Sequence, residues 1–192
     1  MNRRSLLGWL ASPLFSAQRS TAPVTNDHYV SLFNGRDLHE WAGNGEHWKV
    51  QNEMLAGTTG ANPTPTLLLH EREYGDFELR FDLRVTRGAG GVHIRGPGSG
   101  PLGVTLQADT SFVRWFSNGT LFATVFRARR DQWYTYRVIC KGSSFDVFQN
   151  DVAADITVVA GHLETRGKLA LSMPEGLRSE ITLRNIGIRE TA

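Results

Sequence analysis

Phe77-Glu78-Leu79-Arg80-Phe81-Asp82-Leu83-Arg84-Val85 alternates apolar and charged residues without a break. Successive side chains of a β-strand point to opposite faces, so this stretch reads as a half-buried antiparallel strand with one apolar and one charged side. The neighbouring segments repeat the pattern. Val92-His-Ile-Arg95 and Val104-Thr-Leu-Gln-Ala-Asp109 alternate in the same way. Phe112 to Phe116 and Thr120 to Phe126 are joined by Asn118-Gly119, a dipeptide suited to two-residue hairpin turns because both positions take positive φ. Trp133 to Lys141 and Ser144 to Gln149 read as strands, and the second turns at Asn150-Asp151 into Val152 to Val159. Lys168 to Met173 and Ile181 to Arg189 close the chain with two more. No stretch keeps a helical period over ten residues, and at most a short turn of helix fits near Leu67 to Arg72. Many short strands between turn signals specify an all-β sandwich or jelly roll.

The 192 residues suit one domain with a core that needs no disulfide or metal to hold it. The single cysteine, Cys140, excludes an internal disulfide and a thiolate metal cluster. Net charge is +2, but three arginines lie in residues 1–22, which hold no acid. Without them 18 basic side chains face 19 acidic ones, so the body of the chain is near neutral and is no phosphate-gripping nucleic-acid binder. In residues 1–22, Arg3-Arg4-Ser-Leu-Leu opens an apolar run from Leu6 to Ala17. That run is too short to span a bilayer and suits the core of a signal peptide; the paired arginine resembles a twin-arginine export signal. The expectation is an exported protein, periplasmic or extracellular, with a single domain over 29–190.

If the strands at 77–85, 92–95 and 104–109 lie side by side, alternation gathers Glu78, Arg80, Asp82, Arg84, His93, Arg95, Thr105, Gln107 and Asp109 on one face. Such a face is either the floor of a ligand groove or a solvated surface laced with cross-strand ion pairs. Histidine beside arginine among glycines, with Gln107 and Asp109 near, suits sugar hydroxyls. On the next hairpin, Trp115 or Phe116 could stack on a sugar ring while its neighbour faces the core. Trp41, Trp48 and Trp133 read as core residues. The seven glycines between Arg87 and Gly103 read as two loops flanking the strand at Val92. The six histidines show no metal-ligand spacing, and no Gly-x-Ser-x-Gly is present.

Several segments together resemble one known family. They are Ser31-Leu-Phe-Asn-Gly-Arg-Asp-Leu-His-Glu-Trp41, Trp48 to Gly57, Tyr74-Gly-Asp-Phe-Glu-Leu-Arg80, Gly91-Val-His-Ile-Arg-Gly96, Gln132 to Gly142 and Leu183-Arg-Asn-Ile-Gly-Ile-Arg-Glu190. In order and spacing they are similar to the 3-keto-disaccharide hydrolase domain family. The resemblance implies a concanavalin- or laminin-G-like jelly roll, commonly exported, acting on 3-keto glycosides. The implied chemistry is removal of the C2 proton beside the ketone, loss of the C1 substituent, and addition of water to the enone. It needs a general base and a group that holds the enolate oxygen, a role for which a divalent metal ion is one candidate.

Carried onto this chain, His93, Asp109 and Glu175 are the candidate catalytic residues. Glu78, Arg80, Arg95, Gln107 and Trp115 are the candidate substrate binders, with Arg95 first among them. Thr105, Ser172 and Glu175 stand where the family pattern has an acid, a glutamine and a histidine. Either other residues act here, or the domain binds a saccharide without cleaving it.

Overall fold

The computed structural model describes residues 28–43, 45–60, 66–96, 104–117, 120–155, 158–159 and 164–191. The export signal expected in residues 1–22 and the Asn118-Gly119 turn lie outside the described residues. In chain order the first eight strands are β1 (Val30–Ser31), β2 (Trp41–Gly43), β3 (Trp48–Gln51), β4 (Met54–Thr58), β5 (Thr66–Tyr74), β6 (Phe77–Arg87), β7 (Ala89–Gly96) and β8 (Val104–Asp109). The others are β9 (Phe112–Ser117), β10 (Thr120–Arg127), β11 (Trp133–Lys141), β12 (Ser144–Gln149), β13 (Val152–Ala153), β14 (Val158–Val159), β15 (Gly167–Met173) and β16 (Glu180–Glu190).

Two antiparallel sheets pack face to face. The first runs β13-β12-β11-β6-β16-β4-β3, with β1 on β16 and β14 on β12. The second runs β10-β9-β8-β7-β15-β5-β2. The apolar halves of the alternating strands meet between them. Phe77, Leu79, Phe81, Leu83 and Val85 of β6 are buried in one core cluster with Val92 and Ile94 of β7, Leu106 and Ala108 of β8, and Val113 and Trp115 of β9. Both residues of the Asn150-Asp151 turn have positive φ, as the two-residue hairpin requires.

Four expectations from the sequence are corrected here. The segment Leu67 to Arg72 is part of strand β5 rather than a turn of helix, because it has pairing partners on both sides, β2 and β15. Most of the Gly-rich stretch before Pro97 is strand. Gly90 and Gly91 lie inside β7, and a Cβ on Gly90 would come within 2.9 Å of Cγ2 of Ile181 in the opposite sheet. Trp133 is not a core residue; it lies half-buried on the outside of the first sheet, with the guanidinium groups of Arg84 and Arg184 over its ring at 4.8 and 4.2 Å. The fourth correction decides the site. Strand β6 belongs to the first sheet, whereas β7 and β8 belong to the second. Gly88, at φ 66°, carries the chain from one sheet to the other. The charged side of β6 and the polar side of β7 and β8 therefore lie on opposite outer faces of the sandwich.

Candidate functional site

On the outer face of the first sheet, the charges of β6 are used to tie strands together. Glu78 accepts hydrogen bonds from the Tyr29 hydroxyl and from Arg189 Nη2 at 2.5 Å, and pairs with Arg137 at 3.5 Å. Burial alone would raise its pKa, but these donors outweigh it and hold the carboxyl below its ordinary value of 4.5. Asp82 accepts from Thr135 Oγ1 at 2.7 Å, Arg184 Nε at 3.1 Å and Asn185 Nδ2 at 2.8 Å. Arg80 is exposed between these clusters. Cross-strand ion pairing thus accounts for Glu78 and Asp82.

A carboxylate held below its ordinary pKa stabilises the fold above that value, and the contribution is lost as pH falls through the folded-state pKa. Glu78→Gln should therefore cost about 2 kcal/mol at pH 7, on the scale of charged hydrogen bonds to a buried group. It should also flatten the decline of stability below pH 4.5. Urea midpoints measured from pH 7 to pH 3 check both; an unchanged acid limb would contradict the assignment.

Arg95 does not join the polar face. β7 pairs Gly96 with Lys168 and His93 with Ala170, so it carries one residue more than β15 between these pairs, a β-bulge at Ile94 and Arg95. Arg95 takes φ 54°, and its side chain lies in the interior at the end of the sandwich. There Nε and Nη2 donate to the Gly75 carbonyl at 2.9 and 2.5 Å, Nη1 donates to the Gly142 carbonyl, and Nη2 meets Asp76 Oδ1 at 2.9 Å. The same carboxylate oxygen accepts the Gly142 backbone N–H at 2.9 Å. The guanidinium lies over the rings of Phe77 and Phe145 at 5.6 and 5.5 Å. Three of the segments quoted from the sequence, around Tyr74–Phe77, Arg95 and Lys141–Gly142, thus meet in one knot that joins the two sheets. Their pattern is explained by this frame. Asp76, the partner of Arg95, carries no periodic signal in the sequence, because it sits in the β5–β6 turn, 19 residues from Arg95 and outside any alternating strand.

On the outer face of the second sheet, His93 stands directly opposite Thr105 on one side and Ala170 on the other. Gly91 and Ser172 form the next pair along, and Gln107 faces Gly91 from β8. This spot is largely shielded from solvent: His93 and Ser172 are each 8% exposed and Thr105 is 6%. His93 Nδ1 shares a hydrogen bond of 2.8 Å with Thr105 Oγ1. Desolvation by burial lowers the His93 pKa from 6.5 to about 4, so the ring is neutral at neutral pH.

Farther along β8, Asp109 is half-buried. It pairs with Arg114 Nη1 and caps the turn by accepting the N–H groups of Ser111 at 2.6 Å and Phe112 at 2.7 Å. Burial works to raise its pKa, but these donors prevail and keep it below the ordinary value. Asp109 is thus a poor proton acceptor. Trp115 points the other way, fully buried against Phe145 with ring centroids 6.2 Å apart, so it is core rather than a sugar platform; the outward residue of the pair is Phe116. Glu175 is exposed on the turn after β15 and makes no hydrogen bond to the described residues of this face. The fold therefore gathers His93, Thr105, Gln107, Asp109 and Ser172. It sends Glu78 and Arg80 to the opposite face, and Arg95 and Trp115 to the interior.

The other chemistry is quiet. Cys140 is buried, and burial pushes its thiol pKa up, away from nucleophilic use. Among the described residues no three His, Cys, Asp or Glu side chains come together to hold a metal ion. Among the described residues, the strand partners of His93 bring hydroxyl, methyl and glycine groups, and one ring nitrogen is taken by Thr105. The described residues of this face do not fit a divalent ion. Among the described residues no helix is long and apolar enough to cross a membrane.

The two-sheet frame and the shielded polar face define a jelly-roll sandwich of the kind found in carbohydrate-related proteins. The chain belongs to the 3-keto-alpha-glucoside-1,2-lyase-like domain family, whose sequence pattern matches residues 28–189. No curated protein matches the sequence. Among solved structures, the chain is similar to a candidate glycosyl hydrolase from Parabacteroides distasonis ATCC 8503, with a TM-score of 0.68 and 17% identity over 85% of this chain and 94% of that one. It is similar to the carbohydrate-binding module CBM66 from Bacillus subtilis, with a TM-score of 0.63 and 18% identity over 79% of this chain and 96% of that one. A Bacillus subtilis protein of unknown function with a galectin-like fold gives 0.65 and 10% over 85% and 94%. At such identities the likeness establishes the fold.

Proposed function

We propose that this protein is an exported carbohydrate-active enzyme that cleaves 3-keto glycosides by elimination and hydration, with His93 as the general base. One observation carries the reading: a neutral imidazole, shielded on a polar sheet face, with one ring nitrogen fixed by Thr105 at 2.8 Å. With Nδ1–H donating to Thr105 Oγ1, Nε2 holds a lone pair. In the first step Nε2 takes the C2 proton, which the neighbouring ketone acidifies. The C2–H electrons form the C1–C2 double bond, and the C1–O pair departs with the leaving sugar oxygen, which is then protonated. Water then adds across the enone, its hydroxyl to C1 and its proton to C2, so the net result is hydrolysis. The Gln107 amide and the Ser172 hydroxyl lie on the same face as donors for the enolate oxygen. The family membership and the carbohydrate-related fold support the substrate class.

A second reading is a saccharide-binding domain without turnover. It is favoured by Thr105 at the family's acidic position and by Asp109, which Arg114 and two backbone N–H groups immobilise. Incubating the purified protein with a 3-keto-disaccharide separates the two. Release of free sugar matching loss of the keto-disaccharide supports the enzyme. Calorimetric binding of that sugar without release supports the binding domain.

A further inference from the structure

We propose a second ligand site, on the outer face of the sheet that lacks His93, that takes the carboxylate of an acidic sugar unit. An open cleft of about 560 Å³ lies there, lined among others by Asn34, Arg36, Asn52, Glu53, Arg184 and Asn185. That volume falls within the range of small-molecule sites.

The floor is a β-bulge. β16 pairs Arg184 with Asp82 and Gly187 with Arg80, so it holds one residue more than β6 between these pairs. Asn185 is that irregularity, at φ 52°. The bulge brings two consecutive side chains, Arg184 and Asn185, onto the same carboxylate of Asp82. Asp82 engages Arg184 through Nε, and Trp133 supports the guanidinium from beneath at 4.2 Å. The Nη1 and Nη2 edge makes no hydrogen bond among the described residues, and the side chain is 42% exposed. A guanidinium pinned in this way offers a ready two-pronged donor, whose geometry matches a carboxylate.

The walls are held independently. Asn34 Oδ1 accepts the N–H groups of Arg36 and Asp37 at 2.8 and 3.1 Å, which fixes the loop that carries Arg36. Asn52 and Glu53 form the β3–β4 turn with φ of 50° and 59°. Gly35 packs on Glu53 closely enough that a Cβ there would lie 3.5 Å from the Glu53 Cβ. The Arg36 guanidinium and the Glu53 carboxylate have no hydrogen-bonding partner among the described residues. Asp82 takes the Nε side of Arg184, and Asp37 lies near Arg36. The Nη edge of Arg184 and the Arg36 guanidinium remain as donors that favour an anion, while Glu53 and the Asn52 amide suit ring hydroxyls. Together they describe a uronic acid unit of a saccharide rather than a neutral sugar or a bare phosphate.

The test is calorimetric titration of the full chain with a trigalacturonate, with the neutral galactose trisaccharide and with inorganic phosphate. The uronate should bind, and the neutral sugar about tenfold or more weaker. Arg36→Ala and Arg184→Gln should each weaken the uronate by about tenfold or more, while His93→Gln leaves it unchanged. Because Arg184 also holds Asp82, its loss could disturb folding; Arg36, exposed and hydrogen-bonded among the described residues only through its backbone, keeps the test decisive. Absence of uronate binding, equal binding of the neutral sugar, or an unchanged affinity in Arg36→Ala would each overturn the site. So would loss of uronate binding in His93→Gln, which would place the ligand on the opposite face. Phosphate binding as tight as the uronate would overturn the sugar assignment.

Discussion

Arg95→Ala is expected to destabilise the protein by about 3–5 kcal/mol, the range for removing one partner of a buried ion pair. The guanidinium is fully buried and serves Asp76 together with the carbonyls of Gly75 and Gly142. Its removal leaves a partly buried carboxylate without its counter-charge and two carbonyls without this donor, and takes a cation from between Phe77 and Phe145. For a chain of this size the melting temperature should fall on the order of 10 °C. Arg80→Ala is the control, because Arg80 is exposed on β6; its effect should stay within about 0.5 kcal/mol. Urea unfolding of the two variants measures the contrast. An Arg95→Ala protein that unfolds at the wild-type midpoint yet loses sugar binding would show that the arginine serves a ligand and not the frame.

His93→Gln is expected to lower turnover of a 3-keto-disaccharide by about 10² to 10⁴, the usual contribution of a positioned general base. Glutamine can keep a hydrogen bond to Thr105, so folding should be retained. The wild-type pH profile carries a separate signature. With its pKa lowered by burial from 6.5 to about 4, the base stays unprotonated well below neutrality. The acid limb of kcat/KM should therefore lie near pH 4 instead of 6.5. Between those values the unfolded chain binds a proton that the folded protein does not. Stability due to this group is thus fully present above pH 6.5 and declines as pH falls toward 4. His93→Gln should remove that decline, which unfolding at pH 7, 5.5 and 4.5 would reveal. Turnover within tenfold of wild type, or an acid limb at 6.5, would remove His93 from the base role.

Alternation was enough to place Phe77, Leu79, Phe81, Leu83 and Val85 in the core, and likewise Val92, Ile94, Leu106 and Ala108. It also placed His93, Thr105, Gln107 and Asp109 on one shared face, because β7 and β8 do pair in the register that alternation requires. The same rule failed at Arg95. A single residue with positive φ turns its side chain from the outer face to the interior, and a period-two pattern has no means of announcing a bulge. The ambiguity between Trp115 and Phe116 was of the same kind, since either register alternates equally well; packing against Phe145 chose Trp115 for the core.

What the sequence determined by itself is local: most of the strands, which side of each is apolar, and where the Asn150-Asp151 turn falls. Those properties follow from steric and solvation preferences of neighbouring residues, and they also carried the likeness to the family. What only the tertiary structure decided is which strands share a sheet. Gly88 sends the chain across the sandwich between β6 and β7, so one expected face of nine polar groups becomes two faces and a buried knot. Pairing between strands distant in sequence is settled by the burial of both apolar sides at once, a cooperative property of the whole core. No single strand, read along its own length, contains it.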